Sequence, residues 1–266
     1  MATILDEILA WKRREELPRL PPVDRRLLAD LPPCRDFRAA LARSRQGPIR
    51  VVAECKQASP SAGLLVADYD PARTALFYVH GGASAISVLT DQRFFRGSLA
   101  HLQAVRAVVQ LPLLRKDFLI DERQIAEARV AGADAVLLIA ACLERQQLAD
   151  LQGFARDLGL AVLVEVHDAD EAATALAVGA DPVGVNNRDL RDFSVDVQRT
   201  LELAPGLVDG RRVVVSESGI HDRATCRRLE EAGIDAVLVG EALMRERDPA
   251  AAIHRLRGTV ASGLTG

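Results

Sequence analysis

The chain predicts an α/β fold, a single (βα)8 TIM barrel with an N-terminal helical extension. Three observations carry this. A short phrase recurs as Gly82-Ala-Ser-Ala-Ile, Gly132-Ala-Asp-Ala-Val, Gly179-Ala-Asp-Pro-Val and Gly233-Ile-Asp-Ala-Val, spaced by 50, 47 and 54 residues. Apolar runs alternate with amphipathic stretches from residue 49 onward. The length of 266 residues, 49% of them hydrophobic, suits one large core. A βα unit takes roughly 25 to 30 residues, so each spacing holds two units and the repeats account for eight strands. In each copy glycine suits the left-handed residue that ends a helix, and the apolar run after it suits a buried strand.

Taken in order, residues 1–48 form an extension packed on the barrel. Helical stretches at Thr3–Glu16 and Asp36–Arg43 are separated by Pro18, Pro21, Pro22, Pro32 and Pro33. The barrel spans 49–258, and 259–266 form a tail. Strands are expected near 49–56, 84–90, 112–117, 135–140, 161–167, 182–187, 212–217 and 236–240. Amphipathic helices such as Asp121–Val130 and Ala224–Ala232 lie between them. Regular strand–helix alternation implies a parallel sheet, and eight units imply closure. No Gly-x-Gly-x-x-Gly or Walker loop favours an open nucleotide-binding sheet.

The formal charge of −3 argues against a nucleic-acid binder. No apolar run approaches the ~20 residues that span a bilayer, and the N-terminus lacks the order of a signal peptide. Cys34, Cys55, Cys142 and Cys226 are scattered, as in a reduced cytoplasmic protein. The five histidines show no metal spacing, so no metal or cofactor is expected.

Lysine is rare: of thirty-four basic residues only Lys12, Lys56 and Lys116 are lysines. Arginine stays protonated, whereas lysine can be tuned by burial and neighbours until it gives up a proton. Lys56 and Lys116 end apolar runs and are candidate acids. Lys12 sits on a polar stretch, where composition alone accounts for it.

Barrel enzymes react at the C-terminal ends of the strands. Those ends carry Glu54 and Lys56, Thr90 and Asp91, Lys116, Glu165 and His167, Asn186 to Arg188, Glu217 and Ser218, and Gly240. Alternation puts Glu54 with Lys56, Glu165 with His167, and Asn186 with Arg188 on common faces, and turns Cys55 away into the core. Asn186-Asn187 also suits a turn, and His167 suits capping or packing. The fourth strand ends instead in the apolar Val136–Ile139, so one wall of the mouth is greasy and the rest charged. That mouth suits a ligand with an apolar part and an anionic part. Ser218-Gly219 and Gly240-Glu241 end the seventh and eighth strands, where this fold recurrently binds phosphate.

These segments together resemble indole-3-glycerol phosphate synthase, from about residue 4 to about residue 255. The resemblance rests on Ala53–Ser61, Ser87–Asp91, Phe94–Gly97, Leu114–Phe118, Leu163–His167, Gly184–Leu190, Ser216–Ile220 and Leu238–Met244. It departs at Gln57 and Ala62, where the family usually has basic residues. It implies ring closure, decarboxylation and dehydration of 1-(2-carboxyphenylamino)-1-deoxyribulose 5-phosphate in tryptophan biosynthesis. By the same resemblance Lys116 is the ring-closure acid, and Lys56, Glu54 and Glu165 serve the dehydration. Asn186 and Arg188 hold the substrate, with Ser59 and Glu217 as further contacts. Phe94, Phe95, Phe118 and Leu137 form the aromatic pocket, and Ser218, Gly219, Gly240 and Glu241 take the phosphate. No cofactor is implied. The expected partner is a small anionic phosphate, with no nucleic acid and no membrane, and the chain is compatible with a monomer. Two alternatives stand beside this reading. One is a phosphoribosylanthranilate isomerase-like enzyme, against which Cys55 has the wrong parity and the fifth strand ends in Glu165. The other is a non-catalytic metabolite-binding barrel.

Overall fold

The computed structural model describes residues 3–189 and 193–260. Of the expected tail, 261–266 lie outside the described residues, as does Leu190 of the sixth-strand motif. Eight parallel strands close a barrel: β1 Arg50–Cys55, β2 Ala85–Leu89, β3 Leu113–Lys116, β4 Ala135–Ile139, β5 Ala161–Val166, β6 Val183–Asn186, β7 Val214–Glu217 and β8 Ala236–Val239. Each pairs with its sequence neighbours, and β8 closes on β1 with Arg50 opposite Ala236 and Ala53 opposite Val239. Every expected strand is present, with ends shifted by a residue or two. The strands read as near-continuous apolar runs because both faces are covered, by helices outside and by other strands inside. A short hairpin, Ala58–Ser59 against Gly63–Leu64, follows β1 and was not expected.

The recurring phrase does two jobs. Its glycines all adopt left-handed backbone, with φ of 77°, 91°, 66° and 84° at Gly82, Gly132, Gly179 and Gly233. Glycine carries no Cβ penalty there. The aspartates that follow sit at the N-terminal ends of the strands, on the barrel floor. Asp134 accepts from Leu113 N at 2.9 Å, Arg35 N at 2.8 Å and Arg106 Nη1 at 2.7 Å. Asp181 accepts from Val213 N at 3.0 Å and Arg38 Nε at 2.7 Å. Asp235 accepts from Val214 N at 3.0 Å and Arg43 N at 3.4 Å. Each aspartate thus ties a strand start to the extension, and residues 35–43 lie across the floor.

The start of the extension runs to the other end of the barrel. Thr3 and Asp6 form a capping box on helix Ile4–Trp11. That helix widens into a π-helical turn at Lys12–Glu16. Lys12 is fully buried, so composition alone does not account for it. Its charge is met by Asp91 and Asp117, far away in sequence, so no local pattern announces its burial.

Candidate active site

The C-terminal ends of the strands open into one cavity of about 660 Å³, within the range of small-molecule sites. Side-chain alternation aims Glu54 and Lys56 of β1 and its exit into this space, with Lys56 Nζ 2.6 Å from Glu54 Oε1. From β3, Lys116 Nζ donates to Glu165 Oε2 of β5 at 3.0 Å and to Glu217 Oε2 of β7 at 2.7 Å. Asn186 of β6 donates from Nδ2 to Glu165 Oε1 at 3.1 Å, and its Oδ1 accepts from Ser218 Oγ at 2.9 Å. Five strands therefore converge on one proton-rich cluster, although their contributing residues span more than 160 positions of sequence.

Electrostatics sort the roles. Burial pushes the Lys116 ammonium down, but Glu165, Glu217 and Glu54 outweigh it and hold its pKa above the ordinary lysine range. The tuning is thus opposite in sign to a lysine made acidic by burial. Burial pushes Glu165 up, and Lys116, His167 and Asn186 outweigh it, so Glu165 is held below the usual carboxylate range. Glu217 differs. Burial raises it, Lys116 lowers it, and Glu165 and Glu54 raise it again, leaving it at about 7. Its Oε1 is buried without a hydrogen-bond partner. Glu217 is thus the carboxyl of the cluster poised to take up or release a proton near neutrality.

His167 does not line the cavity. Its backbone N and Nδ1 meet Glu171 Oε2 at 2.8 and 3.1 Å, and Nε2 lies 3.4 Å from Glu165 Oε1, within ion-pair range but outside hydrogen-bond geometry. Burial lowers its pKa, but the two carboxylates raise it to about 10. Cys55 is buried, its Sγ facing Pro71 O at 3.9 Å under helix Pro71–His80. Asn187 is likewise no mere turn former. It is buried and bridges Ser216 Oγ at 3.0 Å and Thr200 Oγ1 at 2.7 Å behind the site.

Phe95, Phe118 and Leu137 form the apolar wall with Ile139, and Leu238 of β8 adds a further apolar side chain to the lining. Phe94 does not belong to it. Phe94 and Phe95 are consecutive in helix Gln92–Phe95, a step of about 100°, so only one can face the cavity. Opposite this wall lie Ser218, Gly219, Gly240 and Glu241. Ser218 and Gly219 take φ of 67° and 77°, so the chain turns sharply as it leaves β7. Glu241 is partnered by Arg245 Nη2 at 3.0 Å and lies 3.9 Å from Arg188 Nη2. Arg245 was missed in the sequence because it lies beyond the strand end, one helical turn past Glu241. Ser59 lines the cavity too, and its Oγ accepts from Ala62 N at 3.1 Å.

Two glycines here make room rather than turns. A Cβ on Gly240 would run into Glu54 Oε1, and one on Gly184 into Glu217 Oε1. Neither is in the left-handed region, so space alone demands glycine.

The family model described as indole-3-glycerol phosphate synthase matches residues 5–256. The chain is 49% identical over 251 residues to the indole-3-glycerol phosphate synthase of Rhodopirellula baltica, covering 92% of this chain and 95% of the relative. The enzyme of that name from Chlorobium phaeovibrioides is 51% identical over 243 residues, covering 90% and 93%. That from Roseiflexus castenholzii is 49% identical over 269 residues, covering 97% and 99%. Among solved structures, a chain of the tryptophan synthase complex from Pyrococcus furiosus superposes with a TM-score of 0.57 at 16% identity, covering 80% of this chain and 99% of that one. Thiamine phosphate pyrophosphorylase from the same organism gives 0.60 at 19%, covering 80% and 96%. These two likenesses show the fold alone. With the matched segment running through every barrel strand, the chain belongs to the indole-3-glycerol phosphate synthase family.

Proposed function

We propose that the chain closes, decarboxylates and dehydrates 1-(2-carboxyphenylamino)-1-deoxyribulose 5-phosphate to indole-3-glycerol phosphate, a carbon–carbon lyase step of tryptophan biosynthesis. The observation that carries this is Lys116 held between Glu165 and Glu217 in a mouth with an aromatic wall on one side and a glycine turn on the other. An ammonium has three donors. Two are committed to carboxylates, leaving the third for the substrate ketone as the aromatic ring carbon attacks it. Lys116, held protonated by its neighbours, enters the reaction as the acid. Glu165, held ionised, suits the iminium cation that precedes loss of carbon dioxide. Glu217, poised at about 7, is close enough to return a proton to Lys116. The Lys56–Glu54 pair is assigned to dehydration, Lys56 protonating the departing hydroxyl. Arg188 and Asn186 hold the substrate carboxylate or hydroxyls. The phosphate is assigned to the turn at Ser218-Gly219 and the amides after Gly240.

The substrate is a small anion, and we place the reaction in the cytoplasm, carried out by a monomer. All four cysteines are free, which fits a reducing compartment. Among the described residues no helix is long and apolar enough to cross a membrane. The test is direct: purified protein is mixed with the carboxyphenylamino substrate, and indole fluorescence is followed. Turnover is expected. A wild-type protein that binds the substrate yet yields no indole product refutes the proposal.

A further inference from the structure

Lys12 is the one lysine that does not line the cavity, and it is more deeply buried than either Lys56 or Lys116. It opens the π-helical turn Lys12–Glu16, a rare geometry that recurs at functional positions. Its Nζ meets Glu16 Oε2 at 2.6 Å, Asp117 Oδ1 at 2.7 Å and Asp91 Oδ2 at 3.0 Å. All three donors of the ammonium are thereby used. Two of these carboxylates also grip the rim of the active site. Asp91 accepts from Phe94 N at 2.7 Å and so caps the turn that carries Phe95. Asp117 accepts from Phe118 N at 2.8 Å and directly follows Lys116 in the chain. Phe95 and Phe118 both line the cavity, with ring centroids 6.1 Å apart. Arg115, the other buried cation of the cluster, reaches Asp117 at 3.2 Å and Glu127 at 2.9 Å. Among the described residues Lys12 is the only cation paired with Asp91, and it joins the rim of β2 to the rim of β3 beside Thr90, whose Oγ1 donates to Asp117 Oδ2 at 2.5 Å and accepts from Arg115 Nε at 3.0 Å.

We propose that Lys12 is a positioning residue, through which the N-terminal extension fixes the aromatic wall of Phe95 and Phe118 against Lys116. It acts through Asp91 and Asp117 and touches no substrate. The proposal rests on the reading under Proposed function, because the wall matters only if an aromatic ring must be held for attack.

Lys12→Met alone strands two buried carboxylates, which risks unfolding the chain. The deciding variant is therefore Lys12→Met with Asp91→Asn. It removes one charge of each sign and keeps a capping oxygen at position 91. Thermal midpoint, affinity for inorganic phosphate, kcat and KM are measured beside the wild type. The expected result is a folded protein with wild-type phosphate affinity whose kcat is lower by about 10²-fold, the cost of roughly 1 Å of misplacement at a reacting centre. A folded double variant with wild-type kcat overturns the proposal. So does a loss of kcat matched by equal losses in phosphate affinity and melting, which marks a purely structural role. If the double variant does not fold, Lys12→Arg decides: it keeps the charge but moves its point of attachment. Lowered kcat at an unchanged midpoint then supports the role, and wild-type kcat overturns it. A wild type without turnover in the same assay refutes the proposed reaction instead, so the two failures are distinguishable.

Discussion

Replacing Lys116 by arginine separates charge from proton donation. Nζ of Lys116 sits 3.0 Å from Glu165 and 2.7 Å from Glu217, and the side chain is mostly buried. A guanidinium can satisfy both carboxylates and keep the local charge, so neither is left stranded. It does not deprotonate in proteins, however, and so cannot serve as the acid. A positioned acid contributes ~10²–10⁴-fold. At ~1.36 kcal/mol per tenfold this is about 2.7–5.4 kcal/mol of barrier. Turnover is followed by indole fluorescence under saturating substrate, with thermal melting as a control on the fold. The expected outcome is a loss of kcat in that range with little change in melting. A folded Lys116→Arg variant within about tenfold of wild-type kcat, less than the smallest loss a general acid implies, refutes the assignment.

Four further outcomes follow from the same geometry. Glu217 has its pKa raised from 4.5 to about 7, so the folded state holds the extra proton, and its stabilising contribution is complete below pH 4.5 and lost as pH rises through 7. Glu217→Gln should flatten this decline, read as urea midpoints at pH 5 and pH 7.5; parallel declines in the two proteins would contradict the shift. His167 has its pKa raised from 6.5 to about 10, so its ion pairs stabilise fully below pH 6.5 and fade as pH climbs through 10. His167→Gln should be destabilised most at and just below pH 6.5 and match the wild type above pH 10, read as urea midpoints. Gly240→Ala drives a methyl group into Glu54 Oε1 and crowds Lys56 Nζ, so kcat should fall by ~10-fold or more while the fold persists; unchanged kinetics would show that the Glu54–Lys56 pair has slack. Asp134→Ala removes a buried carboxylate with three donors aimed at it, and should cost ~3–5 kcal/mol of stability with kinetics intact where folded.

The barrel was legible because its repeat is local. A glycine that ends a helix and an apolar run that starts a strand are written within five residues, and four copies set the count. The charged mouth was legible through parity, since Glu54 and Lys56 are two residues apart on a strand and must share a face. What could not be read was anything set by distant partners. Lys12 looked like a matter of composition because Asp91 and Asp117 meet it only after folding. Phe94 looked equivalent to Phe95 until a helical turn assigned them different directions. The direction of the Lys116 shift was hidden for the same reason: burial and three carboxylates act in opposite senses, and only distances decide which prevails. Gly240 and Gly184 were present in the motifs, but the acids whose space they keep lie on other strands.

The extension touches the barrel at both ends, and this has a consequence for folding. Arg35 docks on Asp134, Arg38 on Asp181, and Arg43 on Asp235. This segment precedes the barrel in the chain, and its last anchor, Asp235, lies at the start of the eighth strand. Until that strand is in place the floor stays open and the early strands lack their final neighbour. Sequence separations of this length make ordering slow, because the chain loses loop entropy before the contacts repay it. The extension can therefore be fully seated only once the strand starts bearing Asp134, Asp181 and Asp235 are all in place.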